Sequence, residues 1–577
     1  MGSDSGARRL RAFRSLAANQ RLLRVLAAYL LFVLTEYSVW IAMLVFAYGH
    51  GGAAVAGLVA VAQMVPAAVV ALLVAPLADR RSPVVVLAGG YLVQAAAMAA
   101  TAVAVLVGTP LAAYVASVLA ATAMVTTRPA QSALIPSVAV TADQLTAANV
   151  VVGWLDAAGF AAAGLLAGVL ISLAGVGSVF AVCAGLGIAA ALLVAALRAA
   201  ALAAPKQKKE PRDSEEQNSE EEQEEPSALA GAGEGLRLAV RQPRVRLMVA
   251  LLSAASVVAG ALDLLIVILA ISVLGRSQAW AGYLDFVFGA GAVLAATVSA
   301  VLIGRRLGGP ILAAALTFSA AVAGLSSGPG LAGTMALLVV AGGSDSLLDV
   351  AIRTLLQRSV PPQLIGRVFG ILEGFTLAGY ALGALLVPLL VHLGGARLAL
   401  LGVAAVLPLA AIAGGRALFG LDAGTPVPVV EIALLRSLPL FAELPAPTIE
   451  GLAAALTPVQ LPAGAVLIRQ GDQGDAYYAI AAGELDALQD GQFLRRCERG
   501  EGVGEIALLR AIPRTATVIA HSAATVYELN REPFLTAVLG HAPTQRQADR
   551  IADARLARAA APDKPVKPDN QEQERPG

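Results

Sequence analysis

The sequence predicts an all-α polytopic membrane bundle of twelve helices in two six-helix repeats, followed by a C-terminal jelly-roll-like β-barrel domain with flanking helices. Three observations predict it. Apolar runs long enough to cross a bilayer, about 20 residues each, recur up to residue 420. One half of that region matches the other at a nearly constant offset. Beyond residue 438 the pattern changes to short alternating segments broken by glycines. Composition agrees: 58% hydrophobic and 14% charged residues, with a mean hydropathy of +0.74, are far more apolar than a soluble domain needs.

The first element, residues 1–24, is a basic cytosolic segment with Arg8, Arg9, Arg11, Arg14, Arg21 and Arg24. It leads straight into a full-length apolar run, so no cleavable signal peptide is expected. Runs at about 25–47, 53–78, 82–107, 110–127, 146–173 and 177–200 make a first bundle over 25–203. Residues 204–245, with Glu215, Glu216, Glu220, Glu221, Glu222, Glu224 and Glu225, read as an acidic cytosolic linker. Runs at about 246–274, 279–303, 308–326, 330–358, 364–393 and 396–419 make a second bundle over 246–420. Basic residues from Arg8 to Arg24, at Asp79-Arg80-Arg81, at Arg128 and after residue 198 fall on one side. The loops at Gly51, Gly108 and Gly175 carry almost none, which places both termini in the cytoplasm.

Several function classes are disfavoured. Cys183 and Cys497 are the two cysteines, so no disulfide framework is available and no metal site is suggested. The four histidines, His50, His392, His521 and His541, are scattered, and no catalytic constellation accompanies them. No enzyme, metal cofactor or nucleic-acid partner is expected. A gated ion channel would need a carbonyl filter and usually a regular arginine helix, and neither pattern is present.

The halves align through particular residues. Ala56-Gly57 matches Ala281-Gly282 and Arg80-Arg81 matches Arg305-Arg306 at an offset of 225, Arg24 matches Arg246 at 222, and Gly153-Trp154-Leu155-Asp156 matches Gly370-Ile371-Leu372-Glu373 at 217. Parallel repeats of this kind build transporters whose site lies between the halves. The loop Ala75-Pro76-Leu77-Ala78-Asp79-Arg80-Arg81 is similar to the signature Gly-x-Leu-x-Asp-Arg-x-Gly-Arg of the major facilitator superfamily, with Ala75 in place of the first glycine and Ser82-Pro83 where glycine and a basic residue are expected. Residues 20–420 resemble that superfamily. The resemblance implies a gating contact among Asp79, Arg80 and Arg128. The stretches Arg128-Pro129-Ala130 and Leu145-Thr146-Ala147-Ala148-Asn149 resemble its exporter branch.

Charges within apolar runs cost about 2.5–3.5 kcal/mol each at a helix centre, so they are expected to face the bundle interior or water. Glu36 and Asp263 lie mid-run in roughly equivalent places, as do Asp156 and Glu373. Asp345, Asp349 and Arg353 share one helical face, where Asp349 and Arg353 can neutralise one another. These seven are candidates for proton coupling or substrate contact, with structural pairing or gating as the alternative reading. Asp285, near the end of its run, is left unassigned.

After a linker at 421–437, residues 438–541 carry the β pattern. Leu440-Phe441-Ala442-Glu443-Leu444, Gly471-Asp472-Gln473-Gly474-Asp475, and Gly504-Glu505-Ile506-Ala507-Leu508-Leu509 with Pro513-Arg514-Thr515-Ala516 occur in that order. Together they resemble the cyclic nucleotide-binding domain family. A cyclic phosphate suits backbone N–H groups at a helix start behind Gly504, offered by Ile506 and Ala507, and the planar fork of Arg514. The resemblance implies Glu505 as acceptor for the ribose 2′-hydroxyl and Thr515 as a further hydroxyl contact. It allows cAMP or cGMP, and cAMP is favoured. The segment 542–577 reads as a helix and a disordered tail; the helix is left to cap the pocket, to pair with a second copy as a homodimer, or to lie solvated.

The expected function is a cyclic-nucleotide-regulated secondary transporter, exporting a small molecule or drug across a bacterial inner membrane. Its partners are the cyclic nucleotide, the transported molecule and the lipid bilayer. The alternative is a non-transporting membrane sensor that signals through the tail.

Overall fold

The computed structural model describes residues 16–78, 82–138, 142–203, 242–298, 307–360, 362–419, 429–442, 444, 446–539 and 542–560. The expected gating residues Asp79 and Arg80, the acidic stretch from 204 to 241 and the tail beyond 560 lie outside them. The chain divides into two compact units, Met1–Val427 and Pro428–Gly577.

The first unit is helical throughout the described residues. Its helices are α1 (Gln20–Ala78), α2 (Pro83–Val107), α3 (Pro110–Val138), α4 (Ala142–Ala174), α5 (Val176–Ala203), α6 (Pro243–Ile268, continued by a π-helical turn Leu269–Val273), α7 (Ala279–Val298), α8 (Gly308–Leu325), α9 (Gly330–Ser359), α10 (Pro362–Ala404) and α11 (Val406–Phe419). Among the described residues, nine helices are long and apolar enough to cross a membrane by length and composition. Two of these apolar stretches, Gln20–Ala67 and Val368–Ala413, each hold two of the runs read separately in the sequence, divided by a non-helical glycine pair. Each is kinked at a glycine pair, where Gly52 (φ 62°) and Gly395 (φ 73°) take a left-handed conformation that glycine adopts without steric cost.

Large apolar side chains cover the outside of this unit: Leu106, Leu173 and Ile412 are each about three-quarters exposed. A surface this apolar suits lipid rather than water. Inside, helices meet through small residues. A Cβ on Gly282 of α7 would lie 2.5 Å from the Gly164 oxygen and the Gly168 nitrogen of α4, so these two backbones are in direct contact. The span Val245–Val273 is 89% buried, against 67% or less for every other candidate crossing.

The second unit opens with α12 (Val429–Ser437) and α13 (Ala446–Ala455), continues through eight strands, and closes with α15 (Arg531–Leu539) and α16 (Ala542–Ala560). The strands are β1 (Thr457–Leu461), β2 (Val466–Ile468), β3 (Ala476–Ala482), β4 (Leu485–Gln489), β5 (Gln492–Cys497), β6 (Gly502–Val503), β7 (Thr517–Ala520) and β8 (Ala524–Asn530), with α14 (Glu505–Arg510) between β6 and β7. They form two four-stranded antiparallel sheets, ordered β1-β8-β3-β6 and β2-β7-β4-β5.

Alternation along β3 decides the packing. Ile480 points into the interior with Leu485, Val518 and Val526, while Tyr477 and Ala479 point to the flanking helices. There Tyr477 stacks on Phe534 at 5.0 Å and meets Phe441 edge-on at 5.4 Å. One strand thus joins the barrel core to the helical core.

Candidate functional site

In the second unit, two loops and a short helix meet. The loop after β2 contains Gly471 to Asp475, and the loop before β7 contains Arg514. Their backbones are joined: the Gly471 N–H donates to the Arg514 carbonyl at 2.9 Å, and the Arg514 N–H donates to the Asp472 carbonyl at 2.8 Å. Gly474 permits the approach, since a Cβ there would lie 2.7 Å from Ala507 Cβ and 3.2 Å from Arg514 Cζ. Gly504 starts α14 at φ 94°, and a Cβ on it would lie 2.5 Å from Arg514 Nη1. This geometry brings Gly504, Glu505, Ile506, Ala507 and Arg514 together, with Thr515 half-buried next to Arg514.

The two charged side chains are held differently. Arg514 is 5% exposed; its Nη1 donates to the Gly504 carbonyl at 2.9 Å and its Nη2 to the Ala476 carbonyl at 2.7 Å, with Asp475 Oδ1 at 3.8 Å. Burial lowers its pKa, opposed by Tyr478, Asp475, Glu505 and Asp472 around it. Glu505 is 2% exposed, and its Oε1 accepts from Arg555 Nη1 at 2.5 Å. Its Oε2 has no hydrogen-bond partner. An acid and a guanidinium at the start of one short helix, with an open buried acceptor on the acid, can receive a ligand bearing both an anion and a hydroxyl.

Sequence reasoning did not single out Arg555. It comes from α16 and also donates to the Gly502 carbonyl at 2.9 Å. Burial pulls its pKa down, and Glu505 and Tyr477 carry it net upward. At the other end of α14, Arg510 pairs with Asp553 at 2.6 Å and Asp549 at 3.3 Å. Thr544, Ala548 and Ala552 of α16 are buried. The solvated alternative for this helix is therefore corrected: α16 packs on the domain because its buried positions recur every four residues while its acids and Arg555 answer charges on α14. The i, i+4 spacing of Ala548, Ala552 and Leu556 was the available signal.

In the first unit the candidate charges are mostly paired. Arg128 of α3 binds Glu36 of α1, with Nη2 to Oε2 at 2.6 Å. The Tyr29 hydroxyl donates to Asp156 Oδ1 at 2.7 Å. Arg353 of α9 binds Asp349 in its own helix and Glu373 of α10, both at 2.8 Å. Asp263 of α6 accepts from Trp40 Nε1 of α1 at 2.9 Å. Asp345 is half-buried one turn before Asp349. Arg128, assigned to a gating contact by resemblance, pairs with Glu36, while its expected partners Asp79 and Arg80 lie outside the described residues.

The sequence reading left Asp285 unassigned. It is 4% exposed, its Oδ2 has no hydrogen-bond partner, and it lines a cavity with Asp263 and Trp40. Its counterpart at the offset of 225 is Ala60, so the repeat drew no attention to it. The indole of Trp40, four residues beyond Glu36, was the available pointer.

Comparison with known proteins assigns both units. The chain matches the Major Facilitator Superfamily over residues 25–372 and the cyclic nucleotide-binding domain over residues 458–541. It is 36% identical over 104 residues to a cAMP-dependent protein kinase regulatory subunit of Aspergillus niger, covering 18% of this chain and 25% of that one. It is 37% identical over 103 residues to an uncharacterized protein of Mycobacterium tuberculosis, covering 18% and 20%. The chain spans a quarter or less of the length of these relatives. Among solved structures, the regulatory domain of Toxoplasma gondii protein kinase A with cAMP is 26% identical, with a TM-score of 0.22, covering 25% of this chain and 56% of that one. The chain belongs to the Major Facilitator Superfamily, and it carries a cyclic nucleotide-binding domain behind that transporter body.

Proposed function

We propose that the chain is a cyclic-nucleotide-regulated secondary active transporter, an exporter of a small molecule at a bacterial inner membrane, with both termini in the cytoplasm. The body would cross the membrane twelve times as two bundles, 25–203 and 246–420. Supporting that reading, two of the nine long apolar helices are folded at glycine pairs, and Pro110–Val125 is a shorter apolar helix. The acidic stretch 204–245 would join the bundles, and 421–437 would lead into the nucleotide domain.

The observation that carries the regulatory reading is the open Oε2 of Glu505, almost fully buried beside Arg514. A buried acceptor without a partner costs about 1–3 kcal/mol, and a ribose hydroxyl on it removes that cost. The cyclic phosphate would take the Arg514 fork from the Gly504 and Ala476 carbonyls, and Thr515 would face the phosphate or base. We assign cAMP as the ligand. Binding would shift the pair Glu505–Arg555 and hence α16, and the resulting bias on inward and outward states is worth about 1–3 kcal/mol by reciprocal linkage.

The test uses the full-length protein in proteoliposomes, with transport measured against a drug and lipid panel with and without cAMP, and cAMP and cGMP binding measured alongside. Losing the Arg514 fork removes charge-assisted hydrogen bonds, so Arg514→Ala is expected to bind cAMP about 10- to 100-fold more weakly. Equal binding by both proteins would remove the pocket assignment. Nucleotide binding without movement of any panel member would favour a membrane sensor.

A further inference from the structure

The second sheet of the nucleotide domain ends in the hairpin β4–β5, and β5 is an edge strand. The register shifts between Ala487 and Leu488. Arg495 faces Ala487, Phe493 faces Leu488, and Leu494 is the extra residue of a β-bulge. On this bulge Phe493 is 61% exposed and Leu494 40% exposed, with Leu488 half-buried opposite. An aromatic ring and a leucine adjacent in sequence are thus both open to solvent at a sheet edge.

We propose that this hairpin docks on the membrane, seating Phe493 and Leu494 at the boundary between lipid headgroups and acyl chains. The tether supports this. α11 ends at Phe419 and α12 begins at Val429, so residues 420–428 separate the body from the nucleotide domain. They can span at most about 30 Å. A domain of this size has a radius of gyration of about 14 Å, so the tether lets any of its faces reach the headgroups. A surface held this close partitions into the interface according to the apolar area it buries. Docking gives the domain a second attachment besides its tether, and it goes beyond the transporter reading because neither transport nor nucleotide binding is needed for it.

A lipid surface is favoured over a protein strand. Bulges and charged residues protect edge strands from pairing, and β5 has both, with Arg495 and Arg496 directly after Leu494. Two copies pairing through β5 would gather the arginines of both in one short ribbon. Lipid makes no demand on the strand's backbone, and its phosphates accept from guanidinium groups beside a buried apolar side chain. Charge does not drive the docking. Arg495 pairs with Glu501 at 2.9 Å, and Arg496 pairs with Asp486 at 2.9 Å and Glu484 at 3.2 Å. The exposed Arg469 and Arg499 are matched by the exposed Asp490 and Glu498. The contact therefore rests on apolar burial, which survives salt that screens surface charge.

The test uses the full-length protein, one copy per nanodisc of phosphatidylethanolamine and phosphatidylglycerol. Cys183 and Cys497 are buried, so a maleimide fluorophore goes to Gln492→Cys, an exposed position beside the apolar pair. Lipids carrying a nitroxide just below the headgroup are expected to quench it. Phe493→Ser with Leu494→Ser should lower the ratio of docked to free domain about tenfold. The melt should stay as in the parent, because both side chains are exposed. Phe493→Asn alone serves if the double variant does not purify as a single species. Quenching should hold between about 0.1 M and about 1 M salt. Equal quenching in parent and variant, no quenching in the parent, quenching lost at the higher salt, or a spectral change that needs two copies in one disc would each overturn the proposal.

Discussion

The two halves of the transporter body carry similar charges and satisfy them in different ways. In the first half, Arg128 reaches across from α3 to Glu36 on α1, and Asp156 is met by the Tyr29 hydroxyl. In the second half, Arg353 stands 225 positions after Arg128 but is captured by Asp349 one turn earlier on its own helix and by Glu373 on α10. The residue 225 positions before Asp349 is Met124, so Arg128 has no acid at that place and turns to the neighbouring helix instead. Glu36 is neutralised, while Asp263 is left with an indole N–H and Asp285 with an oxygen that has no partner.

This comparison can be calibrated on a buried carboxylate outside the body. Glu505 is 2% exposed and its Oε1 is held by Arg555, so Arg555→Met leaves both carboxylate oxygens enclosed without a hydrogen-bond partner. Breaking such a pair costs about 3–5 kcal/mol. The nucleotide domain is expected to lose most of its thermal stability in a melt of the full-length protein, and Glu505→Gln combined with Arg555→Met should restore part of it. A melt unchanged by Arg555→Met would show that burial alone does not set the cost.

A smaller effect is expected inside the first half. Arg128→Met strands Glu36, but these side chains are 44% and 20% exposed, so about 2 kcal/mol is a fair discount on the fully buried case. The yield of monodisperse protein should fall, and Glu36→Gln in the same chain should recover it. Recovery would establish that the loss came from a stranded charge and not from lost packing.

The smallest effect belongs to the second half. Asp349→Met copies the residue found at Met124 and removes one of two acids from Arg353. With the acids 42% and 56% exposed, the cost should be about 1 kcal/mol or less, because Glu373 remains and exposed pairs contribute little. A loss as large as that of Arg128→Met would erase the contrast between the halves.

Much of the fold was legible because it rests on local chemistry. Apolar runs of bilayer length and the glycine-broken strands after residue 461 each carry their own period. The nucleotide pocket was legible for a related reason: Gly504, Glu505 and Arg514 lie within eleven residues, and the backbone conformation that binds an anion requires glycine at its start. The breaks between runs were legible too, since Gly51-Gly52 and Gly394-Gly395 fall between apolar runs and are non-helical in the fold. The role of α16 was hidden, because Arg555 meets Glu505 across 50 positions of chain.

By itself the sequence determined that there is a membrane body, that a cyclic-nucleotide domain follows it, and which residue types each contains, since period and glycine placement are properties of neighbouring residues. Tertiary structure alone decided the partners: Arg128 with Glu36, Glu505 with Arg555, and Asp285 with none. A charge within an apolar run can be counted from the sequence. Whether it is neutralised depends on what the facing helix presents at that depth, and that is set by packing between segments far apart in the chain.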